Sequence, residues 1–324
     1  MTVGGSGASA AGAVVVGEAL VDVLPGGPRG TRELPGGSPA NVALGLARLG
    51  RPVRFATRLG ADRLGALVAG HLRASGVELL PGSTDDGTTS TATAVLDASG
   101  AATYTFDLEW RLTERAARAV ADSPPAHLHT GSIAAALPPG GDTVADLVRA
   151  ARAAATVSYD PNLRPALLGP PGAERDRVER LVAAADVVKA SDEDLAWLYP
   201  GRDPEQVAAG WATGAGPALV VLTRGARGAV AFGRRARAEV AAPRVRVADT
   251  VGAGDAFTAG LLAGLLAAGL AGPAGAARPA LAAAAGGPRL AGAVAAALEQ
   301  AARVAALTCA REGADPPTAA ELAG

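Results

Sequence analysis

The sequence predicts an α/β fold in which a mostly parallel sheet carries helices on both faces and a small β-sheet stands apart as a lid. Short apolar strands alternate with helical stretches over most of the chain, a pattern typical of parallel sheets buried between helices. Polar residues repeatedly follow these strands, at the sheet edge where α/β proteins gather their ligands. The Thr-rich segment 88–108 alternates around Ser99-Gly100 without an intervening helix, which predicts a separate β-hairpin.

The first half of the chain predicts, in order, a strand at 13–24, a helix at 38–50, a strand at 53–60, a helix at 63–76 and the hairpin at 88–108. Ser38 is expected to cap the first helix, Pro39 suits its first turn, and Gly50 ends it. The alternation of strand and helix implies a mostly parallel sheet covered on both faces.

The second half predicts four buried strands in "AHLHTGSI", "TVSYDPN", "DVVKAS" and "ALVVLTRG", with helices such as 141–154 and 173–185 between them. A second hairpin, 228–243, precedes "VRVADTVGAGDAF" and the C-terminal helices. The low-complexity segment 271–290 is expected to be an exposed connection. The polar groups at strand ends are Asp22, Gly131-Ser132, Asp160-Asn162, Lys189-Ser191, Thr223-Gly225 and Asp249-Asp255.

The length of 324 residues allows one large or two small domains, with a disordered lead-in expected at 1–12. The 324 residues are 49% hydrophobic, with a mean hydropathy of +0.23, which supplies a sizeable core. The 30 basic and 31 acidic residues form no block of like charge, so a nucleic-acid surface is not indicated. With Cys309 as its one cysteine the chain forms no internal disulfide, and a cytoplasmic location is expected.

The apolar run after Asp255 predicts a buried helix and not a membrane span. It contains Gly260 and Gly264 at the spacing of a helix-pairing motif, but it is rich in Gly and Ala and is broken by Pro273. The N-terminus lacks the basic region of a signal peptide.

The motif Gly252-Ala253-Gly254-Asp255 predicts an anion site beside a carboxylate. Glycines allow successive N–H groups to point at one spot, and a helix beginning there adds its positive dipole end. Asp255, which would repel a phosphate, is instead placed to take a proton from a hydroxyl that attacks one. An ordinary helix start with Asp as its cap explains the same residues equally well.

Two weaker motifs accompany it. In "LPGGSPANVALGLARLG" (34–50), Gly36-Gly37 permits close backbone approach and Asn41 offers donors and an acceptor to sugar-like hydroxyls. In "VLTRGARGAVAF" (221–232), a strand ends at Thr223 and glycines turn the chain, which suits either a nucleotide phosphate or a plain β-turn.

In this order along the chain, the three motifs resemble the ribokinase-like sugar kinases, the pfkB group. "GGSPANVALGLARLG" matches the family's N-terminal signature and "DTVGAGDAF" its C-terminal one, while "GADRLG", "DPNLR", "VKASDED" and "TRGARG" resemble the blocks between them. The resemblance spans about 13–318 and implies one kinase domain over those residues, followed by a tail at 319–324. It implies a Rossmann-like domain, a lid built from about 19–34 and 88–108, and transfer of the γ-phosphate of ATP to a primary hydroxyl of a sugar.

The resemblance also implies functional roles for individual residues. The catalytic base is matched by Asp255, and its anion hole by Gly252, Ala253 and Gly254. The sugar-holding positions are matched by Asp22, Gly36, Gly37 and Asn41. The nucleotide-site positions are matched by Lys189, Thr223, Gly225, Gly228 and Thr308. The monovalent-cation site of members that use potassium is matched by Asp249, Thr250 and the loop near 311–313.

One block departs from the family pattern. Where relatives carry Asn-x-x-Glu to organise Mg²⁺, this chain has "SDED" from Ser191 to Asp194. Glu193 and Asp194 are both candidates for that metal role, while Ser-x-x-Asp also outlines a helix capping box. The expected cofactors are ATP and Mg²⁺, with K⁺ as in potassium-using members.

The substrate is expected to be fructose, giving fructose 6-phosphate. "DPNLR" with Arg164 resembles a block of fructokinases and 2-keto-3-deoxygluconate kinases, and "VVVGEALVDVLP" resembles fructokinases more than ribokinases or adenosine kinases. The alternatives 2-keto-3-deoxygluconate kinase, ribokinase and other sugar or nucleoside kinases stay open. Phe106 and Trp110 are placed either to cover the apolar face of the sugar or to pack in the core.

The sequence disfavours two classes of protein other than kinases. A non-catalytic sugar- or nucleotide-binding relative is disfavoured by the intact Gly-Ala-Gly-Asp, and a dehydrogenase by the lack of Gly-x-Gly-x-x-Gly after the first strand. His127 and His129 share a strand face, where sheet packing is favoured over metal binding. The expected partners are a small sugar and ATP, without nucleic acid or membrane, and the lid hairpin is compatible with a homodimer.

Overall fold

A computed structural model of the chain describes residues 12–27, 30–96, 102–214 and 216–323. Its strands are β1 (Ala13–Val16), β2 (Leu20–Gly27), β3 (Gly30–Gly36), β4 (Val53–Ala56), β5 (Leu59–Gly60), β6 (Glu78–Leu79), β7 (Thr84–Asp85), β8 (Thr91–Leu96), β9 (Ala102–Asp107), β10 (His127–Gly131), β11 (Thr156–Asp160), β12 (Val187–Ser191), β13 (Leu219–Thr223), β14 (Ala229–Phe232) and β15 (Arg237–Val240). The predicted lead-in lies outside the described residues, except for Gly12.

Helices connect most of these strands. They are α1 (Ser38–Arg48), α2 (Arg63–Ala74), α3 (Glu114–Asp122), α4 (Ser132–Ala136), α5 (Gly140–Ala151), α6 (Pro171–Ala184), α7 (Asp192–Leu198), α8 (Pro204–Thr213), α9 (Ala253–Ala267), α10 (Ala274–Gly286), α11 (Gly292–Cys309) and α12 (Ala319–Ala323). Single 3-10 turns occupy Pro165–Leu167 and Gly225–Arg227.

The main sheet has the spatial order β15-β14-β13-β12-β11-β10-β1-β4-β6. Its pairings are parallel from β6 to β13, and only β14 and β15 join antiparallel. A separate four-stranded sheet has the order β3-β2-β8-β9. The predicted α/β architecture with a small second sheet is therefore confirmed, and both segments proposed for the lid belong to that second sheet.

Each face of the main sheet carries its own core. Val14, Val16 and their neighbours pack against α3, α5, α6 and α8, while the alternate residues pack against α1, α9 and α11. A strand turns successive side chains to opposite faces, so buried strands supply both cores at once. The apolar runs of the sequence are explained by this double burial.

Four details of the local predictions are wrong. The strand predicted at 53–60 is divided into β4 of the main sheet and β5, which pairs with β7 in a two-stranded sheet. Residues 13–24 form two strands, because the chain turns at 17–19 and leaves the main sheet for the small one. Ser38 does not cap α1: the cap position is Gly37, and the Ser38 hydroxyl is used elsewhere. Segment 271–290 is not an exposed connection, since it contains α10.

The error at α10 has a physical cause. Alanine is the strongest helix former, and the buried residues Ala274, Ala277, Leu281 and Ala285 recur at helical spacing. Arg278 of this helix donates to the buried carboxylate of Asp186 at 2.6 Å and so fixes α10 to the sheet. The low complexity of segment 271–290 is therefore a feature of its composition, and it does not indicate that the segment is exposed to solvent.

The apolar run after Asp255 is a buried helix, as predicted. Helix α9 ends at Ala267, and most of its residues are inaccessible to solvent. Among the residues that the structure describes, no helix is long and apolar enough to cross a bilayer.

Candidate active site

Helix α9 begins at the predicted anion motif. Gly252, the residue before the helix, has φ 74°, and a methyl group on it would lie 2.5 Å from the Cβ of Ala314. Glycine satisfies both constraints, because it adopts positive φ readily and has no Cβ to collide with Ala314. Within the described part of the chain, the N–H groups of Gly254 and Asp255 have no hydrogen-bond acceptor, which is the usual state of a helix start that binds an anion.

Asp255 is buried beside this turn and is held by three donors. Ser38 Oγ donates to Oδ1 at 2.6 Å, Asn41 Nδ2 donates to Oδ2 at 2.8 Å, and Asn162 Nδ2 approaches Oδ1 at 3.3 Å. The donors come from α1 and from the loop after β11, more than ninety residues away in the chain. The carboxylate is thus fixed in orientation, as a positioned proton acceptor must be.

Asp22 and the Gly36-Gly37 pair meet where the small sheet joins the main domain. A methyl group on Gly36 would lie 2.2 Å from Asp22 Oδ2, and one on Gly37, at φ 101°, would lie 2.7 Å from the carbonyl oxygen of Glu18. A side chain at either glycine would therefore collide with other parts of the protein itself. Burial raises the pKa of Asp22 to about 6, with Arg164 lowering it and Asp255 raising it.

Arg164 faces the same space. Its Nη1 donates to Asn162 Oδ1 at 2.7 Å, and Asn162 Nδ2 donates in turn to Ser38 Oγ at 2.7 Å. A hydrogen-bonded path therefore links the predicted sugar residue Arg164 to Asp255. Asn162 itself has φ 37°, a conformation that asparagine tolerates better than most residues.

The two aromatic candidates differ in position. Trp110 is buried in the main core and donates from Nε1 to the Ala134 carbonyl at 2.9 Å, so it packs and does not cover a ligand. Phe106 packs against Leu20, Ala92 and Ile133 under the small sheet. Of the two, Phe106 stays a candidate for contact with a sugar.

The predicted nucleotide positions lie at the ends of β12 and β13. Lys189 is buried, and its Nζ donates to Asp160 Oδ2 at 3.0 Å. Thr223 ends β13 half-buried, and Gly225 and Gly228 bound the 3-10 turn that leads into β14. Thr308 is fully buried, and its hydroxyl donates to Val304 of its own helix at 2.8 Å.

The "SDED" block forms a complete capping box. Ser191 Oγ accepts from the Asp194 N–H at 3.0 Å, and Asp194 Oδ2 accepts from the Ser191 N–H at 2.9 Å. Asp194 Oδ1 accepts from the Leu163 N–H at 2.7 Å, so both of its oxygens are engaged. Glu193 is exposed and has no such contacts.

No group of three or more His, Cys, Asp or Glu side chains within the described ranges is arranged to hold a metal ion. His127 bonds Thr156 and Ser158 at 2.8 Å, and His129 shares Ser158. Burial lowers the pKa of His127 to about 4 and that of His129 to about 3, so both are neutral at physiological pH. They pack within the sheet, as favoured from the sequence.

Asp249 connects two loops near the start of α9. Its Oδ1 accepts from the Val251 N–H at 3.0 Å and its Oδ2 from the Gly313 N–H at 2.9 Å. Thr250 is exposed beside it. The predicted cation residues and the loop near 311–313 are therefore neighbours.

Sequence reasoning did not assign several residues that the structure brings to the site. Ser38 and Asn162 contact Asp255, while Asp160 and Thr258 contact each other at 3.0 Å beneath it. Glu18 is buried beside the Ala134 N–H at 2.9 Å. The strand-end pattern marked Asp160 and Asn162 as polar, but no signal in the sequence identified their partners.

The chain is similar to known proteins over most of its length. The family model for "pfkB family carbohydrate kinase" matches residues 12–320. A fructokinase of Rhizobium leguminosarum bv. trifolii is 38% identical over 258 residues, which cover 77% of this chain and 78% of that protein.

Two solved structures are similar over nearly their whole length. A fructokinase of Xylella fastidiosa with bound ATP superimposes with a TM-score of 0.78 and 28% identity, covering 96% of this chain and 97% of the other. A double mutant of the Vibrio cholerae O395 fructokinase, in a form with bound fructose, ADP and potassium ion, gives 0.76 and 28%, covering 98% and 99%. The chain therefore belongs to the pfkB family of carbohydrate kinases.

Proposed function

We propose that this protein is an ATP-dependent fructokinase, which transfers the γ-phosphoryl group of ATP to the 6-hydroxyl of fructose and releases fructose 6-phosphate and ADP. The observation that carries the proposal is Asp255, a buried carboxylate held by three donors at the open N-terminus of α9. Fructokinase relatives of similar length support the choice of sugar.

The reaction assigned to these residues is an in-line displacement. The sugar hydroxyl passes its proton to Asp255 as its oxygen forms a bond to the γ-phosphorus. The bond between that phosphorus and the bridging oxygen breaks, and the electron pair leaves with ADP. The free N–H groups of Gly254 and Asp255 stabilise the charge on the moving phosphoryl oxygens.

The residues present fit a magnesium-nucleotide. When bound, Mg²⁺ supplies charge neutralisation on the phosphates, and it is usually held by one or two carboxylates together with substrate phosphates. The carboxylate of Asp194 is already engaged, whereas Glu193 is exposed and has no hydrogen-bond partner among the residues that the structure describes. We assign the metal role to Glu193.

A neutral ketose suits the sugar end better than an acid sugar. The guanidinium of Arg164 is close enough to Glu18 and Asp22 to lower the pKa of both carboxyl groups. Its charge thus already faces carboxyl groups of the protein, and the carboxylate of 2-keto-3-deoxygluconate would enter a space that also contains Asp255. This observation favours fructose over the keto-acid.

The remaining parts of the proposal are a small-sheet lid over the sugar, a potassium site at Asp249 and Thr250, and a cytoplasmic location. The lid assignment is supported by Asp22 of β2, which is close enough to Asp255 for the charge of Asp255 to raise the pKa of Asp22. The potassium site is supported by the two loops that meet at Asp249.

The experiment that tests the function measures ADP release with fructose, ribose, glucose, 2-keto-3-deoxygluconate and adenosine. We expect fructose to give the highest kcat/KM. Absence of ADP release with every sugar, while the protein still binds one of them, would contradict the kinase assignment. A higher kcat/KM with the keto-acid would contradict only the choice of fructose.

The first testable prediction concerns Asp255. Asp255→Asn is expected to lower kcat by about 10³-fold, because removal of a positioned general base typically costs 10²- to 10⁴-fold, while the fructose dissociation constant changes little. Asp146→Asn, on an exposed residue of α5 that pairs with Arg149, is the matched control and is expected to leave kcat unchanged. Retained turnover in Asp255→Asn would refute its role as base.

A further inference from the structure

Beneath the anion site lies a buried polar cluster of three residues from three elements, Asp160 of β11, Lys189 of β12 and Thr258 of α9. Asp160 Oδ2 accepts from Lys189 Nζ at 3.0 Å and from Thr258 Oγ1 at 3.0 Å. All three side chains are at least nine-tenths buried. The cluster ties the first turn of α9 to the carboxyl ends of two neighbouring strands.

The ammonium group of Lys189 lies next to Gly254, on the buried side of the anion site. A methyl group on Gly254 would lie 3.2 Å from Lys189 Nζ, while Gly254 itself is exposed at the surface. The absence of a side chain at position 254 therefore leaves room between the ammonium and the open anion site. The Thr258 hydroxyl also lies 3.1 Å from the Gly254 carbonyl, which holds this turn above Lys189.

The ammonium group has unused hydrogen-bonding capacity. A lysine ammonium carries three N–H donors, and Asp160 is the acceptor found for it within the described ranges. Burial lowers the pKa of Lys189, but the carboxylates of Asp160, Asp194 and Asp255 raise it more, so the net shift is upward and the group stays charged. A charged donor with free N–H groups is thus held under the position where the phosphoryl group would move.

We propose that Lys189 is a catalytic residue whose ammonium contacts the phosphoryl group during transfer, and that Asp160 and Thr258 are positioning residues that aim it. This inference rests on the proposed kinase function and assigns a role within its site. Lys189 exchanges no proton: it stabilises the charge that spreads over the equatorial phosphoryl oxygens, together with the N–H groups of Gly254 and Asp255.

The competing explanation is that Lys189 and Asp160 form only a structural ion pair. Removing one member of a buried pair destabilises a protein strongly because it leaves an uncompensated charge, whereas removing both charges is often nearly neutral. A double variant therefore separates the two explanations. A structural pair predicts that activity returns with stability, and a phosphoryl contact predicts that it does not.

The test compares Lys189→Met, Asp160→Asn and the double variant Asp160→Asn/Lys189→Met. Lys189→Met is expected to lower kcat by about 100-fold, the usual loss for one transition-state donor, and to lower the melting temperature. The double variant is expected to recover most of the melting temperature while kcat stays low. Recovery of kcat in the double variant would overturn the proposal.

A binding measurement supplies a readout other than turnover. MgADP with aluminium fluoride and fructose mimics the planar phosphoryl group, and wild type is expected to bind this mixture much more tightly than MgADP with fructose alone. Lys189→Met is expected to lose most of that difference while the Kd for MgADP stays within about threefold of wild type, since the lost contact exists only with the phosphoryl group. An unchanged difference would contradict the contact.

Thr258 supplies the positioning test. Thr258→Ser keeps the hydroxyl and is expected to retain kcat, whereas Thr258→Val keeps the shape and is expected to lower kcat without a matching rise in either KM. Equal kcat for both variants would contradict the positioning role. If wild type phosphorylates fructose and Asp255→Asn does not, but Lys189→Met keeps near wild-type kcat, this inference fails while the proposed function stands.

Discussion

Glu18 shows how burial alone makes a single residue sensitive to pH. The side chain lies in the turn between β1 and β2, is 4% exposed, and accepts from the Ala134 N–H. Burial raises the pKa of this carboxyl to about 7, although its backbone hydrogen bonds, Ser132 and Arg164 lower it. The native state therefore binds a proton more tightly at Glu18 than the unfolded state does.

A stability prediction follows from this shift. The stabilising effect of the bound proton is complete below about pH 4.3, the unfolded value, and is lost as the pH rises through about 7. At pH 8 the charged carboxylate is expected to lower the free energy of unfolding by about 3 kcal/mol relative to acid pH, at 1.36 kcal/mol per pKa unit.

Glu18→Gln preserves the shape and the acceptor oxygen but removes the titration. Urea unfolding of wild type and variant at pH 5 and pH 8 measures the effect, and the variant is expected to gain stability relative to wild type at the higher pH. A difference between the two proteins that is the same at both pH values would contradict the prediction. Comparing the two proteins cancels the other titrating groups, such as Asp160.

At the scale of elements, the small sheet is anchored to the main domain by Arg58. This side chain is fully buried between β4 and β5: Nε donates to Asp85 Oδ2 at 3.1 Å, Nη1 donates to the Thr88 carbonyl at 2.8 Å, and Nη2 lies 2.9 Å from Glu109 Oε2. Residues 88 and 109 flank the hairpin of β8 and β9. One guanidinium therefore holds both ends of that hairpin.

Arg58→Met is expected to lower the free energy of unfolding by about 3 kcal/mol. The substitution removes the ion pair of Arg58 with Asp85 and leaves that partly buried carboxylate less well compensated. It is also expected to raise the KM for fructose more than that for ATP, since the small sheet contributes Asp22. Chemical unfolding and steady-state kinetics measure both. Arg63→Met, which breaks an exposed pair with Glu33, is the control and is expected to have a much smaller effect.

The elements themselves differ in how well the sequence predicts them. The strands β10 to β13 and the helix α9 follow from apolar runs and the residues that end them, and they were placed correctly. Ser38 and α10 were not. A serine before an apolar helix is usually its cap, but α1 begins at Ser38 itself and Gly37, at φ 101°, takes the cap position. The Ser38 hydroxyl donates instead to Asp255 at 2.6 Å, a partner that only the three-dimensional arrangement reveals.

At the scale of the whole molecule, the site is assembled from segments that are far apart in the chain. Asp255 contacts residues 217 and 93 positions away, and Asp249 contacts one 64 positions later. Parallel strands bring these segments together because their carboxyl ends lie at one edge of the sheet. Every proposed site residue therefore depends on the complete sheet.

The cation site belongs to this scale because it joins two distant loops. If potassium binds at Asp249, its charge adds to the positive end of α9 and fixes the loop before Gly252. Turnover is then expected to rise severalfold with KCl relative to tetramethylammonium chloride at equal ionic strength. Asp249→Asn is expected to abolish this activation, and equal rates in the two salts would contradict a potassium site.

The sequence by itself determined the fold class, the order of strands and helices, the family resemblance and the identity of Asp255 as the expected base. The fold class and the order of elements follow from local signals: periodicity, glycine turns and the residues at strand ends. The role expected of Asp255 follows from the family resemblance, which rests on the order of the motifs along the chain. Only the tertiary structure decided that Ser38, Asn41 and Asn162 hold that carboxylate, that Asp194 is engaged in a capping box, and that Lys189 lies under Gly254. Hydrogen bonds between side chains far apart in the chain depend on distances and directions in space, which no local pattern records.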